Sequence, residues 1–341
     1  MGSLTPLDVA LLAPLGHGAL PEWLPAAPLV LTVALLLDVL LDDPPHWFHP
    51  VRAMGACITW WERAARDVSC APGWLRVCGV LLALSLPLGC WLLVKMLLAV
   101  LTMLSPWLAL GAAVYLTYTC LSLAGLAGAV AVVRERLHRG DLAGARIAVG
   151  HIVGRDTGAL DSGGVAAAAV ESAAENASDG FIAPLCFLAL GGPALGLAYK
   201  AINTADSMIG HRDERFCDFG FGAARLDDLC NWIPARLTCL LFGAAALLRG
   251  CHPLRALSTA WRDAPRHASP NAGWPEAAVA GALGIQLGGD ALYDGQIHHR
   301  PVLGEGGGPG VVHVAMALHL LWLTGALGAA IALLAVAGRS W

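Results

Sequence analysis

The chain has 341 residues, of which 57% are apolar and only 13% are charged, and its mean hydropathy is +0.64. Because soluble domains carry about 25% charged residues, this composition excludes an ordinary soluble globular protein. The net charge of −4 includes no block of like charges, which excludes the basic surface that nucleic-acid binding requires. The sequence therefore predicts a polytopic membrane protein without a nucleic-acid partner.

Four apolar segments are predicted to be full transmembrane helices. A span needs about 20 apolar residues to cross about 30 Å of hydrocarbon. The candidates are residues 23–41, 77–104, 107–133 and 311–338. Between the two central spans, Ser105-Pro106 predicts a tight turn.

Two further apolar segments are predicted to be re-entrant or interfacial. Phe181 to Ile202 is interrupted by Gly191-Gly192-Pro193, and Leu237 to Leu248 has only 12 residues. With four crossings, all the charged segments face one side and hold 18 of the 21 Lys and Arg residues. The positive-inside rule assigns these segments to the cytoplasm. They are residues 42–76, 134–180, 203–236 and 249–310.

The polar segments are predicted to be helical. Asp161 and Ser162 are suitable N-caps for an Ala-rich helix that we expect to end at Ser178-Asp179-Gly180. No run alternates β-branched and polar residues, so a sheet domain is not expected. The ten cysteines include no C-x-x-C pair and indicate reduced, structural thiols. The predicted fold is one all-α, membrane-embedded domain over residues 1–341.

The first acid-rich cluster follows the first apolar segment. It contains Asp38, Asp42-Asp43, His46 and His49. Acids and imidazoles at a membrane boundary are suited to a divalent cation or a phosphate-bearing ligand. The alternative is a solvated, proline-stiffened end of a helix.

The second cluster lies on the Ala-rich helix and just before it. Glu171 and Glu175 are four residues apart, so they share a helix face, where like charges repel. Mg²⁺ would offset this repulsion, because it prefers oxygen ligands and commonly bridges carboxylates to phosphates. Arg155, Asn176 and Asp179 belong to the same cluster. The alternative is a hydrated helix face, although the remaining residues are mostly Ala and Val.

A third cluster follows the interrupted apolar segment and contains Lys200, Asn203 and Asp206. Lys200 has the compact charge that suits phosphate binding, but a lysine at the end of an apolar helix also simply extends toward water.

The fourth cluster places Arg225, Asp227-Asp228, Asn231 and Arg236 within about three helical turns. Paired acids near an amide suit a metal and diphosphate. The alternative is a structural ion-pair network.

Several enzyme classes are excluded by their missing motifs. The chain has no G-x-x-x-x-G-K-[ST] phosphate loop and no G-x-G-x-x-G after a strand. It also lacks a G-x-S-x-G elbow and an H-E-x-x-H zinc helix.

Several strings together resemble the CobD/CbiB cobalamin biosynthesis family, whose activity is adenosylcobinamide-phosphate synthase. The resemblance runs in one order from about residue 30 to 310, and no single motif carries it. The strings are Asp43-Pro44 to His49-Pro50-Val51, Gly154 to Thr157, Glu171 to Asn176 with Asp179-Gly180, Tyr199 to Met208, Ala224 to Leu237, Ser269 to Glu276, and Leu287 to Tyr293. Asp42 stands where the family motif has Gly.

The resemblance implies an ATP- and Mg²⁺-dependent amide ligase in the bacterial inner membrane. It would join the free carboxyl of adenosylcobyric acid to aminopropanol or its phosphate, giving adenosylcobinamide or its phosphate. Other late enzymes of cobalamin assembly are possible partners in this interpretation.

Residue roles follow from combining the clusters with this chemistry. Mg²⁺ is assigned to Glu171, Glu175, Asp179, Asp227 and Asp228. Catalysis is assigned to Lys200, Asp206, Arg155 and His49, with Asp206 or His49 as the base that accepts the amine proton. Nucleotide binding is assigned to Asn176, Asn203, Arg225, Asn231 and Arg236.

Two alternatives of other classes stay open. An isoprenoid-diphosphate transferase would also use Asn203-x-x-Asp206 and Asp227-Asp228 to hold Mg²⁺. A transporter would use Lys95, Asp38 and the interruption at Gly191-Gly192-Pro193, and inverted-repeat symmetry, which we do not see, would favour it.

Overall fold

A computed structural model describes residues 26–41, 48–211, 213–293 and 295–337. The helices are α1 (Ala26–Leu41), α2 (Pro50–Val68), α3 (Pro72–Leu104), α4 (Pro106–Tyr118), α5 (Leu123–His138), α6 (Leu142–Gly150), α7 (Ser162–Ala177), α8 (Ala183–Ile209), α9 (Phe221–Cys230), α10 (Trp232–Arg249), α11 (Pro253–Asp263), α12 (Gly273–Leu283) and α13 (Val311–Val336). The strands are β1 (Gln286–Gly288), β2 (Ala291–Tyr293), β3 (Gln296–His298) and β4 (Val302–Gly304).

Five helical segments in the described part of the chain are long and apolar enough to cross a membrane, which makes this a polytopic helical membrane protein. Pro72–Leu104, Pro106–His138 and Val311–Val336 coincide with predicted spans. Ser162–Ile209 and Trp232–Arg249 contain the two segments predicted to be re-entrant or interfacial. The first predicted span corresponds to a shorter apolar helix, Ala27–Leu41, and residues 23–25 and 338 lie outside the described residues.

The segment Ser162–Ile209 is the centre of the fold. In its most apolar window 72% of the residues are buried, against 33% in Pro72–Leu104. Helix α7 packs against α5, α12 and α13. Its Ala-rich sequence permits these close approaches, since small side chains let helix backbones come together.

The chain reverses direction inside α8. Gly191 leaves the helical region, and Gly192 has φ 66°, a conformation that favours glycine. The rings of Phe187 and Tyr199 stack with centroids 4.7 Å apart, whereas twelve residues of straight helix would separate them by about 18 Å. The two arms, residues 183–190 and 193–209, therefore lie side by side. Such a reversal is what a re-entrant segment requires.

The structure adds detail to two predictions about local structure. The α-helix that starts at Ser162 ends at Ala177 as predicted, but a π-helical turn, Ser178–Ile182, joins it to α8 without a break. A π-turn keeps the backbone hydrogen-bonded, so these residues need not end the helix. The predicted span 107–133 is confirmed as the candidate span Pro106–His138, but residues 119–122 separate it into α4 and α5.

The loop between α12 and α13 forms two small antiparallel sheets that the sequence did not predict. Strand β1 pairs with β4, and β2 pairs with β3. Buried Asp263 anchors them by accepting a hydrogen bond from the Gly304 amide at 2.8 Å. Ion pairs with Arg262 and Arg266 surround the same carboxylate, and hydrogen bonding to Arg262 lowers its pKa to about 2.

A second, smaller core lies between α2, α3 and the returning arm of α8. Its buried side chains include Ile58, Leu82 and Phe219. Gly79 of α3 lets the helix approach the loop before α9, because a Cβ there would lie 1.7 Å from the carbonyl oxygen of Phe219. Close contact with backbone leaves little room for relaxation.

We predict that Gly79→Ala destabilises the protein by about 1–3 kcal/mol, the usual cost of overpacking. Gly89→Ala in the same helix is the matched control, since a Cβ there meets nothing within 4 Å. Thermal unfolding of both variants in detergent checks this prediction. Equal unfolding midpoints would contradict the proposed close contact.

Candidate active site

The centre of the candidate site is the acid-bearing face of α7 and the π-turn. Glu171, Glu175 and Asp179 follow at intervals of four residues, so they lie along one face. Asp161 caps the start of this helix by accepting from the Gly164 amide at 2.7 Å, as the sequence predicted. Asn176 instead turns back along the helix, because its Nδ2 donates to the carbonyl of Ser172 at 3.0 Å.

Glu171 is buried and fully engaged by the protein. One of its carboxylate oxygens, Oε2, lies 2.9 Å from Arg155 and 2.7 Å from Arg300. The other, Oε1, accepts from the Gly288 amide at 2.7 Å. These contacts hold the loop after α6 and the β-strand loop against α7. The charge of Glu171 is thus already balanced by two arginines.

Glu175 and Asp179 face acids contributed by other segments. Glu175 interacts electrostatically with Asp227 as well as Glu171, and Asp179 interacts with Asp227 and Asp206. Asp206 in turn interacts with Asp228 and Glu175. The side chain of Glu175 is exposed although it lies among these groups, so solvent reaches the cluster. We call Glu175, Asp179, Asp206, Asp227 and Asp228 the acid pocket.

A hydrogen-bond chain fixes Asp227 in the pocket. Asn231, which is fully buried, donates to Oδ2 of Asp227 at 2.8 Å and accepts from the Tyr199 hydroxyl at 2.8 Å. Asn203 also hydrogen-bonds with Asp227. Asn203 and Asn231, predicted to bind nucleotide, therefore position an acid of the pocket.

Burial and the charge of Asp206 raise the pKa of Asp227 to about 7, although the hydrogen bonds from Asn231 and Asn203 act in the opposite direction. Its Oδ1 is buried and has no hydrogen-bond partner within the described residues. A buried carboxylate oxygen without a donor is suited to a cation.

Glu276 is a site residue that the sequence analysis missed. It lies in the first turn of α12, is 3% exposed, and interacts electrostatically with Glu171 and Glu175. Burial and these two acids raise its pKa well above the ordinary value. The signal in the sequence was a single glutamate in the first turn of a short and otherwise apolar helix.

Arg300 was also missed. It follows the short strands and joins Arg155 on the carboxylate of Glu171. It is the only Lys or Arg between residues 267 and 338. An isolated cation in so long a stretch was a signal that it has a specific partner. Its distance from Glu171 in the sequence concealed the contact.

Arg225 and Arg236 lie at the edge of the pocket. Arg225 is exposed and pairs with Asp228 at 3.5 Å. Arg236 lies between the rings of Trp232 and Trp274 and donates to Oδ1 of Asn271 at 3.0 Å. In this arrangement Arg236 stabilises the approach of α10 to the loop before α12.

Two of the predicted catalytic residues line a cavity that is distinct from the acid pocket. Lys200 and His49 line a cavity of about 200 Å³ together with Asp38. The remaining lining residues are Val51, Tyr118, Thr119, Leu121, Ser122 and Gly125. We call this the lysine cavity. Asp42, Asp43 and His46 of the first cluster lie outside the described residues.

No group of three or more His, Cys, Asp and Glu residues in the described ranges is arranged to hold a metal ion by itself. The acid pocket nevertheless fits Mg²⁺, which is usually bound by one or two carboxylates together with substrate phosphates. The orphaned Oδ1 of Asp227 and the solvent-accessible Glu175 supply such ligands.

The fold and the pocket define a class of protein: a polytopic, all-helical membrane protein with a polar interior built from acids and arginines of distant segments. The sequence matches the family described as CobD/Cbib protein over residues 31–321. The chain belongs to the CobD/CbiB family.

Curated relatives extend over nearly the whole chain. It is 42% identical to cobalamin biosynthesis protein CobD of Klebsiella pneumoniae, over 88% of this chain and 94% of that protein. It is 40% identical to CbiB of Salmonella typhimurium, over 90% and 97% of the two chains, and 44% identical to CobD of Yersinia enterocolitica, over 80% and 86%. No solved structure matches.

The resemblance inferred from the motifs is thus confirmed at the level of the family. The family and the names of the relatives support a role in cobalamin biosynthesis. This match favours the cobalamin interpretation over the isoprenoid-transferase and transporter alternatives.

We predict that Glu171→Gln costs about 3–5 kcal/mol, because it leaves the buried guanidinium groups of Arg155 and Arg300 without their counter-charge. Glu135→Gln, in an exposed pair with Arg139, should cost no more than about 1 kcal/mol. Thermal unfolding in detergent measures both. If the two variants unfold alike, Glu171 does not hold the loops together.

Asp227→Asn should stabilise the Mg²⁺-free protein, and more so at pH 8 than at pH 5. The raised folded-state pKa means that ionisation destabilises the fold progressively between about pH 4 and pH 7, and fully above that. The neutral amide avoids this cost, so the variant's advantage should grow by about 3 kcal/mol between pH 5 and pH 8. Thermal unfolding at both pH values tests this, and a pH-independent difference would contradict the burial of an ionisable Asp227.

Proposed function

We propose that this protein is the ATP- and Mg²⁺-dependent amide ligase that joins adenosylcobyric acid to aminopropanol or its O-phosphate. The product is adenosylcobinamide or its phosphate. Family membership supports the pathway, and the acid pocket supports the type of reaction. The observation that carries the proposal is the convergence of carboxylates from α7, α8 and α9 around Asp227, whose buried Oδ1 lacks a donor among the described residues.

The chemistry requires activation of a carboxylate. The carboxylate oxygen attacks the terminal phosphorus of ATP, and the bond to the bridging oxygen breaks to release ADP. The amine nitrogen then attacks the acyl carbon, phosphate leaves with the carbon–oxygen bond electrons, and the nitrogen loses a proton. The resulting amide needs no oxidant or reductant.

The acid pocket would hold Mg²⁺ through Glu175, Asp179, Asp227 and Asp228. When bound, the metal neutralises the phosphate oxygens of the nucleotide. We leave Glu171 out of this set, because its oxygens already accept from Arg155, Arg300 and the Gly288 amide. The role of Glu171 is to position the guanidinium group of Arg155. The buried Nε of Arg155 donates no hydrogen bond to any described residue.

Asp206 would accept the proton that the attacking amine loses. It lies at the margin of the pocket and is half-buried, beside Asp228 and Glu175. A base must lie within hydrogen-bond reach of the nitrogen. Asp206 lies on the same returning arm of α8 as Lys200.

The site would face the cytoplasm of a bacterial inner membrane, where ATP is available. Eighteen of the 21 Lys and Arg residues lie in the predicted cytoplasmic segments. Enzymes of late cobalamin assembly would be the partners that supply the corrinoid and receive the product.

The direct test is ADP release by purified protein in detergent with adenosylcobyric acid, Mg²⁺, ATP and aminopropanol phosphate. We expect release that requires both the corrinoid and the amine, with amide product identified by mass spectrometry. Release indifferent to the corrinoid would contradict the ligase assignment.

Glu175→Gln should lower Mg²⁺-dependent turnover on the order of 100-fold, since it removes a charge that holds the metal. Asp228→Asn should act in the same direction and raise the Mg²⁺ concentration needed for half-maximal rate. Glu135→Gln, on the exposed surface of α5, is the control and should turn over normally. Normal activity of Glu175→Gln would remove Glu175 from the metal set.

A further inference from the structure

The lysine cavity combines opposite charges in a small space. Asp38 is 3% exposed, and Lys200 and His49 are half-buried at the same cavity. Its volume of about 200 Å³ is below the roughly 300–1,000 Å³ of pockets for drug-sized ligands. A corrin ring or a nucleotide therefore does not fit, whereas a molecule of a few non-hydrogen atoms does.

The N-terminal end of α5 stabilises the negative charge of Asp38. Its Oδ2 accepts from the Ala124 amide at 3.4 Å, in the first turn of α5. The positive end of the helix dipole stabilises a carboxylate at this position. Asp38 is therefore suited to bind an ammonium group.

The lysine cavity and the acid pocket are neighbours across the π-turn. Ser122, which lines the cavity, donates to the carbonyl of Gly180 at 3.1 Å. The preceding residue, Asp179, belongs to the acid pocket, and its carbonyl contacts the Tyr199 hydroxyl at 3.2 Å. Lys200 is the next residue in the chain. A ligand in the cavity thus lies one turn of backbone away from the proposed nucleotide site.

We propose that the lysine cavity is the binding site of the amine co-substrate, a small amino alcohol phosphate. Asp38 binds its ammonium group, and Lys200 and His49 bind its phosphate. This inference rests on the proposed function for the identity of the amine, but it assigns a separate site that includes Asp38. In this assignment Lys200 and His49 bind the amine substrate. The acid pocket would bind the phosphoryl group that ATP transfers.

The test uses the full-length protein in lipid nanodiscs and isothermal titration with (R)-1-amino-2-propanol O-phosphate. Aminopropanol and inorganic phosphate are titrated separately. We expect the complete probe to bind more tightly than either part. Lys200→Met should lose at least tenfold in affinity for the probe and for phosphate, and Asp38→Asn at least tenfold for the probe and for aminopropanol.

Lys95→Met is the matched control. Lys95 is the only other lysine of the chain, lies in α3 near the ring of Trp91, and is absent from the cavity lining. It should bind the probe like wild type. Lys200→Arg keeps the charge and should retain much more affinity than Lys200→Met.

A second measurement does not depend on folding of the variants. Acylation of Lys200 by an amine-reactive ester, quantified by peptide mass spectrometry, should slow when the probe is present, with Lys95 as internal reference. Unchanged acylation of Lys200 at saturating probe would overturn the inference.

The outcomes separate this site from the proposed function. If wild-type protein shows corrinoid-dependent ADP release but Asp38→Asn and Lys200→Met keep a wild-type KM for the amine, the ligase assignment stands and the site is wrong. If the KM for the amine rises at least tenfold while that for Mg·ATP is unchanged, the site is supported. If no corrinoid-dependent release occurs but the variants lose probe binding, the site stands and the ligase assignment fails.

Discussion

The buried carboxylate of Glu171 joins three parts of the chain that are far apart in sequence. Arg155 comes from the loop after α6, Arg300 and the Gly288 amide come from the strand-bearing loop, and Glu171 itself lies on the central helix. A buried glutamate without such partners would be strongly destabilising. The ion pairs therefore set where both loops lie, and they place positive charge beside the acids of α7. Arg155 and Arg300 also interact electrostatically with Glu175, so they offset part of the repulsion among the acids.

The reversal at Gly191-Gly192 and the π-turn explain how one helical segment contributes to two sites. The reversal brings the Tyr199 hydroxyl to the carbonyl of Asp179, twenty residues earlier in the chain. Tyr199 and Asn203 then face the acid pocket, while Lys200 lines the lysine cavity. In the proposed reaction, the nucleotide and the amine would therefore bind at neighbouring sites that both contact the π-turn. Within the π-turn, the carbonyl groups of Asp179 and Gly180 accept hydrogen bonds from Tyr199 and Ser122.

The sequence predicted the features that depend on local chemistry. The Asp161 cap, the Ser105-Pro106 turn, the last apolar helix and the interruption at Gly191-Gly192 follow from caps, turn residues and hydrophobicity. The four acid-bearing stretches were also recognisable, because charges are rare in this chain. Features that depend on tertiary packing were missed: Glu276 and Arg300 meet Glu171 only after folding, and the burial of Lys200 in its own cavity depends on α1 and α5. Periodicity also does not distinguish a helix that ends at Ser178-Asp179-Gly180 from one that continues through a π-turn.

The central claim is that the acid pocket holds Mg²⁺ and nucleotide. A cryo-electron microscopy map of the full-length protein with ADP, Mg²⁺ and adenosylcobyric acid tests it most directly. The account predicts metal density about 2.0–2.1 Å from oxygens of acid-pocket residues, with the nucleotide phosphates on the far side of the ion. Nucleotide density elsewhere, with Glu175 and Asp227 contacting only protein and solvent, would contradict it.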